Sequence, residues 1–220
     1  MAKTFFVYNK IFRSLFYMLF VSCSILQAQN RDFVSWTGIG IERKINAAFI
    51  ASGGLEWRTK DNLGKTDRLE LDAGVKYALL PFLKLGTGYE MYYRNIRKGD
   101  WDFFHCYYFD TAFSFRLQRI KFALRERFQH TFIEDENELR MRSRIKLAYD
   151  ISKSGLELYV SVEMYNGLNN GEHFDVRRLR YRGGIILPLS DRWEMDAFYC
   201  RQWESEEQRN VMGIECLYIF

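Results

Sequence analysis

The chain has 220 residues, of which 32 are lysine or arginine and 28 are acidic, so its formal net charge is +4. This length fits a single domain. A net charge this small is no evidence for the clustered basic excess that nucleic-acid binding requires, so no nucleic-acid partner is expected. The four cysteines are too few and too widely spaced for a disulfide scaffold, and none of them has the spacing of a zinc site.

The first 28 residues have the composition of a secretory signal peptide. Basic residues precede a short apolar run over 15–26, no acidic residue occurs, and the small residue Ala28 comes before a polar stretch. The run is shorter than the about 20 residues that a membrane-spanning helix needs. We therefore expect residues 1–28 to be a cleaved signal peptide and 29–220 to be the mature domain. Three of the 32 basic residues lie in the signal, which leaves 29 basic and 28 acidic residues.

Two alternatives concern the same N-terminal segment. Left uncleaved, it would act as a membrane anchor, although the apolar run is short for that role. Cys23 would be lipidated if the signal were that of a lipoprotein. The residues before it, 20–22, fit such a signal poorly, so we interpret Cys23 as part of the apolar run.

From residue 33 to the end, apolar and polar residues alternate. In the stretch 139–149, Arg140, Arg142, Arg144 and Lys146 occupy every second position. A helix would scatter these side chains around its surface, whereas a strand places them all on one face. The same pattern predicts eleven strands over 33–43, 47–59, 68–77, 83–94, 107–116, 121–130, 139–149, 156–165, 178–187, 192–203 and 209–220.

Strands with one apolar and one polar face occur in soluble sandwiches and in transmembrane barrels. The predicted strands are longer than the about 5–6 residues usual in soluble proteins, and their connections alternate between short and long, as in outer-membrane barrels. Aromatic residues also lie near strand ends, where membrane interfaces would be, at Trp57, Tyr77, Tyr93, Tyr149 and Trp193. The sequence therefore predicts an all-β fold, a transmembrane antiparallel up-and-down β-barrel of ten to twelve strands in the outer membrane of a Gram-negative bacterium.

Two features depart from this pattern. Bacterial single-chain barrels have an even number of strands, so the segment 33–43 is expected to lie outside a ten-stranded barrel unless one strand has been missed. Glu126 falls on the lipid-facing side between Leu124 and Phe128. A β-bulge at Arg125–Glu126 would turn this carboxylate inward.

The C-terminal residues form a second recognisable signal. Phe220 and Tyr218 end a strand in which apolar residues alternate. Such an ending resembles the signal by which the outer-membrane barrel assembly machinery recognises its substrates. We therefore expect that machinery to be a partner and Phe220 and Tyr218 to be the residues it recognises.

The mature sequence resembles a family of uncharacterised Gram-negative outer-membrane β-barrel proteins, the domain-of-unknown-function 2490 family. The resemblance rests on short motifs in order along the chain: Trp36, Glu56-x-Arg58, Gly74-Val75-x-Tyr77, Gly88-Tyr89, Arg125-x-Arg127-Phe128, Arg140-x-Arg142-x-Arg144, Glu163-x-Tyr165 and Arg180-x-Arg182-Gly183. It implies a barrel and its compartment. It implies no activity.

The inward faces of the predicted strands are rich in charge. The basic residues are Arg125, Arg127, Arg140, Arg142, Arg144, Lys146, Arg178, Arg180 and Arg182, and the acidic ones include Glu56, Glu70, Asp72, Glu157 and Glu163. Because arginine pairs well with carboxylates and such a barrel has a narrow lumen, we expect a largely closed polar core and a structural or interaction role. The alternative is a narrow porin for small anionic solutes, since arginine ladders select anions.

A rim-sited enzyme is the third hypothesis. His105, His130 and His173 lie near the longer predicted loops, where a hydrolase or acyltransferase acting on lipid or envelope polymers would place its residues. No nucleophile–base motif accompanies them, so we predict no enzyme, no catalytic residue, no cofactor and no metal. Outer-membrane lipid and lipopolysaccharide are the expected surroundings. The acidic stretch 134–136 with Glu138 is interpreted as a solvated loop rather than a divalent-cation bridge to lipopolysaccharide.

Overall fold

The computed structural model describes residues 32–97, 100–133, 136–151, 155–168, 175–204 and 208–220, so the predicted signal peptide lies outside the described residues. The strands are β1 (Asp32–Lys44), β2 (Phe49–Lys60), β3 (Lys65–Leu80), β4 (Leu83–Arg97), β5 (Asp100–Leu117), β6 (Ile120–Ile133), β7 (Glu136–Asp150), β8 (Glu157–Gly167), β9 (Asp175–Pro188), β10 (Trp193–Glu204) and β11 (Gln208–Ile219). In this part of the chain no helix is long and apolar enough to cross a membrane.

The eleven strands form one closed barrel. Consecutive strands pair in antiparallel fashion, and β1 pairs with β11 to complete the circle. This last pair is parallel, with Val34 opposite Val211 and Ile39 opposite Cys216. An odd number of alternating strands requires such a pair, because the first and last strands then run in the same direction. The closure leaves no unpaired sheet edge.

The predicted all-β barrel is thus confirmed, but two details of the prediction are wrong. Segment 33–43 is a barrel strand with two neighbours, and the strand number is odd.

Hydrogen bonds also hold the start of β1 to the turn between β2 and β3. The Asn62 amide donates to Asp32 Oδ1 at 2.7 Å, and Asn62 Oδ1 accepts a hydrogen bond from the Phe33 amide at 3.1 Å. The barrel end at which β1 begins is the N-terminal end below, and the end that carries Phe220 is the C-terminal end.

Large apolar side chains cover the outside of the barrel. Leu55 is 57% exposed and Val160 is 60% exposed, and many other leucine, isoleucine and phenylalanine side chains on the same surface are also exposed. Charged side chains fill the inside instead. An apolar surface of this extent exceeds the patches that soluble monomers show and is typical of the lipid-facing band of a transmembrane barrel.

Aromatic pairs line both ends of this outer surface. At the C-terminal end, the ring centroids of Phe49 and Tyr77 lie 4.9 Å apart and those of Trp193 and Tyr218 lie 5.0 Å apart. At the N-terminal end, Tyr93 contacts Phe103 with centroids 4.8 Å apart. Two aromatic girdles at the limits of an apolar band are the arrangement found at the two membrane interfaces.

Connections at the N-terminal end are shorter than the sequence predicted. The expected loop over 95–102 is mostly strand, because β4 continues to Arg97 and β5 begins at Asp100. Cross-strand contacts extend the ladder: Arg94 lies opposite Asp102, and Tyr92 stacks on Phe104 with centroids 4.8 Å apart. The difference in connection length between the two ends is therefore smaller than predicted.

Glu126 stays on the outer surface. The pairings of β6 with β5 and β7 run without a break through Arg125 and Glu126, so the predicted β-bulge is wrong. Ser143, which lies opposite on β7, donates a hydrogen bond of 2.6 Å to the Glu126 carboxylate. A neighbouring hydroxyl therefore gives the outward-facing carboxylate one hydrogen bond.

Candidate functional site in the charged lumen

Three adjacent strands bring the main charges together. Arg140, Arg142, Arg144 and Lys146 come from β7, Arg178, Arg180 and Arg182 come from β9, and Glu157 and Glu163 come from β8 between them. The register places Glu163 opposite Arg144 on one side and opposite Arg180 on the other. Because side chains at every second position share a face, these residues line the lumen together.

Glu163 is the centre of this cluster. Its carboxylate lies 2.9 Å from Arg125 Nη2, 3.1 Å from Arg142 Nη2 and 3.6 Å from Arg180 Nη1. The Tyr165 hydroxyl also donates to it at 3.0 Å. One carboxylate thus binds three guanidinium groups from three strands, which links the neighbouring strands β6 to β9 through charge-assisted hydrogen bonds.

Arg127 forms a second cluster with two acids. It binds Asp110 in bidentate fashion, with N–O distances of 2.6 and 2.8 Å, and binds Glu90 Oε1 at 2.8 Å. Its guanidinium carbon lies 3.6 Å from the centroid of the Tyr108 ring. Bidentate geometry and a stacked aromatic ring both favour arginine over lysine here.

The Tyr108 side chain lies in the lumen directly over Gly88 and Gly74, two glycines of the family motifs, which have no side chain to block it. A Cβ at Gly88 would lie 2.3 Å from the Tyr108 hydroxyl, and one at Gly74 would lie 2.8 Å from it. Such distances are too short for any side chain. The glycines are therefore needed so that a tyrosine from β5 can reach across β4 to β3.

Arg182 joins a third cluster near the middle of the barrel. It lies 2.7 Å from Asp196 and 3.3 Å from Glu215, and its Nε donates to the Tyr159 hydroxyl at 2.7 Å. The Tyr159 hydroxyl in turn donates to Asp196. Phe198 lies beneath the guanidinium, whose carbon is 3.4 Å from the ring centroid.

The acids on β2 and β3 pair locally rather than with the arginines of β6 to β9. Glu56 binds Arg58, and Glu70 binds Arg68 and lies 3.7 Å from Arg58. Asp72 lies beside Gly54, where a Cβ would be 2.5 Å from its carboxylate oxygen. The lumen residues predicted from the sequence did not include Arg58 and Arg68, although both occupy inward positions of the alternation.

Ion pairs lie near both ends of the lumen. At the C-terminal end, Glu157 binds Lys121 and lies 3.1 Å from Lys146. At the N-terminal end, Arg140 binds Glu138 and Arg178 binds Glu204.

The lumen residues predicted from the sequence also did not include the aromatic side chains among these charges, such as Tyr159 and Tyr165. Their inward position in the alternation was the available signal.

Two cavities within this network are lined by residues that the structure describes. The larger, of about 400 Å³, is at the N-terminal end and is lined by Glu138, Arg140, Tyr165, Asp175, Val176, Arg177, Arg178 and Glu204. The smaller, of about 100 Å³, is lined by Trp36, Glu56, Arg58, Arg142, Arg144, Ser161, Glu163, Arg180, Arg182, Cys200 and Glu215. Arg180 donates a hydrogen bond to the Tyr165 hydroxyl. Both side chains are buried, 7% and 3% exposed respectively, and their contact lies between the two cavities.

The rim histidines are bonded to tyrosines. His105 Nδ1 lies 2.8 Å from the Tyr89 hydroxyl, and His130 Nδ1 lies 2.6 Å from the Tyr107 hydroxyl. Both pairs belong to the outer aromatic surface. His173 and residues 134–135 lie outside the described residues, within which no group of three His, Cys, Asp or Glu side chains is placed to hold a metal ion.

The C-terminal aromatic residues lie at the outer surface. Phe220 is 62% exposed, and its ring centroid lies 4.7 Å from that of Tyr218. Arg192 donates to the Tyr218 hydroxyl at 3.1 Å, and the Phe220 amide donates to the Glu42 carbonyl at 2.9 Å. The terminal ring is held by few contacts.

An apolar exterior, aromatic girdles and a charged interior define this protein as a β-barrel of the outer-membrane type. The chain matches the family model described as "Protein of unknown function (DUF2490)" over residues 33–213, and it therefore belongs to that family. A comparison with curated proteins found no match.

Two solved structures are similar at low sequence identity. The translocator domain of the autotransporter NalP from Neisseria meningitidis is 14% identical, with a TM-score of 0.42, over 75% of this chain and 71% of that one. A structure from a study of the in-meso crystallization of membrane proteins is 12% identical, with a TM-score of 0.40, over 76% of each chain. At these TM-scores neither structure indicates what this chain does.

Proposed function

We propose that this protein is an outer-membrane β-barrel whose lumen is closed by its own salt-bridged side chains, and that it has a structural or interaction role rather than a transport role. The apolar band between two aromatic girdles supports the location, as does the export signal expected at residues 1–28. Outer-membrane lipid and lipopolysaccharide would then surround the barrel, and the assembly machinery would insert it.

The observation that carries the closed lumen is the contact between Tyr165, Arg180 and Glu163. These three side chains are buried and bonded to one another between the two cavities. The smaller of these cavities, of about 100 Å³, is the central cavity below, and it has room for a few water molecules at most. A solute would have to break several charge-assisted hydrogen bonds to pass this point.

A narrow porin for small anions is the second candidate. It is favoured by the composition of the central cavity, whose lining has five arginines and three glutamates. Arginine ladders of this kind select anions where a water-filled path exists.

We also propose that the protein is not an enzyme, because each described rim histidine is bonded to a tyrosine in an aromatic surface.

Single-channel recording of the refolded protein separates the two candidates. A closed barrel inserts into a planar bilayer without producing conductance steps. Replacing both Tyr165 and Arg180 by alanine removes the side chains between the cavities, so this variant is expected to conduct. Tyr181→Ala changes the outer surface instead and is the matched control, which should stay silent. Regular anion-selective steps from the wild type would contradict the closed lumen and favour the porin.

A further inference from the structure

The central cavity has more cations than anions. Its three glutamates are all engaged: Glu56 binds Arg58, Glu215 binds Arg182, and Glu163 binds Arg125, Arg142 and Arg180. Two more carboxylates pair with the lining arginines from outside it: Asp196 binds Arg182, and Glu70, which also binds Arg68, lies 3.7 Å from Arg58. With all groups ionised, the lining together with these partners and Arg125 has seven arginines and five carboxylates, which leaves two positive charges in excess. Arginine keeps its charge in proteins, so deprotonation does not remove this excess.

Arg144 is the side chain left over. It lines the cavity and lies opposite Glu163 on the neighbouring strand, yet no ion pair or hydrogen bond joins it to any of the residues that the structure describes. Around the same carboxylate, the buried Nε groups of Arg125 and Arg142 also have no hydrogen-bond acceptor within the described part of the chain. Three arginines at one place in the lumen thus have donors with no acceptor among the described residues.

An unpaired charge away from bulk water is strongly unfavourable. Water in the cavity supplies acceptors for the donors, but it supplies no negative charge. A small anion supplies both, and guanidinium groups are the side chains best suited to bind one. The cavity volume of about 100 Å³ admits an ion of the size of chloride or phosphate and excludes an organic acid of several carbons.

We infer that the central cavity is a binding site for one small inorganic anion, held by Arg144 with Arg142 and Arg182 from the same lining. The ion completes the charge balance of the lumen and acts as a structural ligand. The site does not depend on whether the lumen conducts. A closed lumen adds one property: exchange requires the Tyr165–Arg180 contact to open, so it is slow.

Thermal unfolding of the refolded protein in detergent tests the site. Chloride replaces gluconate, a much larger organic anion, at constant ionic strength, so general screening is unchanged and only the identity of the anion differs. The wild type is expected to show a saturable rise in Tm of about 2–4 °C once chloride exceeds its Kd several-fold. Phosphate in place of chloride tells whether the site accepts an oxyanion.

Arg144→Gln removes the unpaired charge and should abolish the chloride dependence. In gluconate its Tm should equal or exceed that of the wild type, because no carboxylate loses its partner. Lys76→Gln is the matched control: it removes a positive charge that pairs with Glu42 away from the cavity and should keep the full chloride dependence. Equal Tm values for the wild type in chloride and gluconate would overturn the inference.

Crystals of the wild type soaked in bromide give a direct measurement that needs no variant. An anomalous peak within contact distance of Arg144 is the expected result. A cavity without a peak, in crystals where bromide binds elsewhere, would overturn the site even if the Tm depended on chloride. Neither outcome bears on conductance, which is measured separately.

Discussion

Glu163 lies directly opposite Arg144 across the β7–β8 ladder, yet its carboxylate binds Arg125, Arg142 and Arg180 instead. The inside of a small barrel is strongly curved, so long side chains from several strands converge on one point. Of its three partners only Arg180 is a direct cross-strand neighbour, and Arg125 reaches the carboxylate from two strands away, so side-chain reach as well as cross-strand position selects the partners. This relationship decides which substitutions in the lumen should be costly.

Glu163→Gln should be among the most destabilising single changes in the lumen. It removes the charge that one buried and two partly buried arginines share, and breaking a buried ion pair from one side costs about 3–5 kcal/mol. Urea unfolding in detergent measures the loss. Glu194→Gln, an inward acid at the C-terminal end with no ion pair among the described residues, should change stability by less than about 0.5 kcal/mol. Similar losses for the two variants would refute the central role of Glu163.

Arg142→Ala should cost less than Glu163→Gln. The Glu163 carboxylate keeps Arg125 and Arg180 when Arg142 is removed, so no acid becomes unpaired. We expect a loss of about 1.5–3 kcal/mol, the range for a hydrogen bond to a charged group, and no conductance in either protein. Unfolding and bilayer recording on the same preparations check both parts. A negligible loss together with an altered reversal potential would instead indicate a water-filled anion path.

Deleting Phe220 should slow assembly without destabilising the folded barrel. The terminal ring is mostly exposed, so the folded state loses little packing. If Phe220 belongs to the assembly signal, the folded outer-membrane fraction falls while export continues, as heat-modifiable gel mobility in a pulse-chase experiment would show. Phe115→Ala, another exposed aromatic change near the C-terminal end, controls for loss of a girdle side chain. Equal assembly rates in all three proteins would argue against the signal.

A designed disulfide tests the parallel closure. Ile39 on β1 lies opposite Cys216 on β11, and paired residues in a sheet are within the Cα distance that a disulfide spans, about 4.4–6.8 Å. Ile39→Cys should therefore form an intramolecular disulfide with the native Cys216 under mild oxidation, detectable by mass spectrometry of linked peptides. Ile41→Cys, which lies opposite Tyr218, should not. Absence of the Ile39→Cys link would mean that β1 does not close the barrel.

Replacing Glu126 by leucine should stabilise the barrel in lipid vesicles. The side chain lies on the apolar outer surface, where Ser143 is its one hydrogen-bond donor among the described residues, and a polar group there costs on the order of 1 kcal/mol or more near the membrane centre. Unfolding by urea in vesicles gives the free-energy change. Thr111→Val, a neutral polar position opposite Glu126 on β5, should have a smaller effect. Destabilisation by Glu126→Leu would indicate that the carboxylate has a partner within the membrane.

The sequence by itself determined the faces of the strands. The spacing of Arg140, Arg142 and Arg144 was enough to place them on one side, because side chains alternate along every strand whatever its neighbours are. The same rule places Leu55 and Val160 outside, and the exposed apolar surface follows from it. Strand existence and orientation are local properties, which is why eleven segments could be predicted from the chain alone.

The tertiary structure alone decided how these strands close and which charges meet. Whether β1 pairs with β11 depends on contacts between residues far apart in the chain, and alternation carries no information on them. The same holds for the convergence of three arginines on Glu163 and for Arg144, which has no bonded partner among the described residues. These outcomes depend on register, barrel curvature and side-chain reach, because pairing across a lumen is a property of distances in space and not of order in sequence.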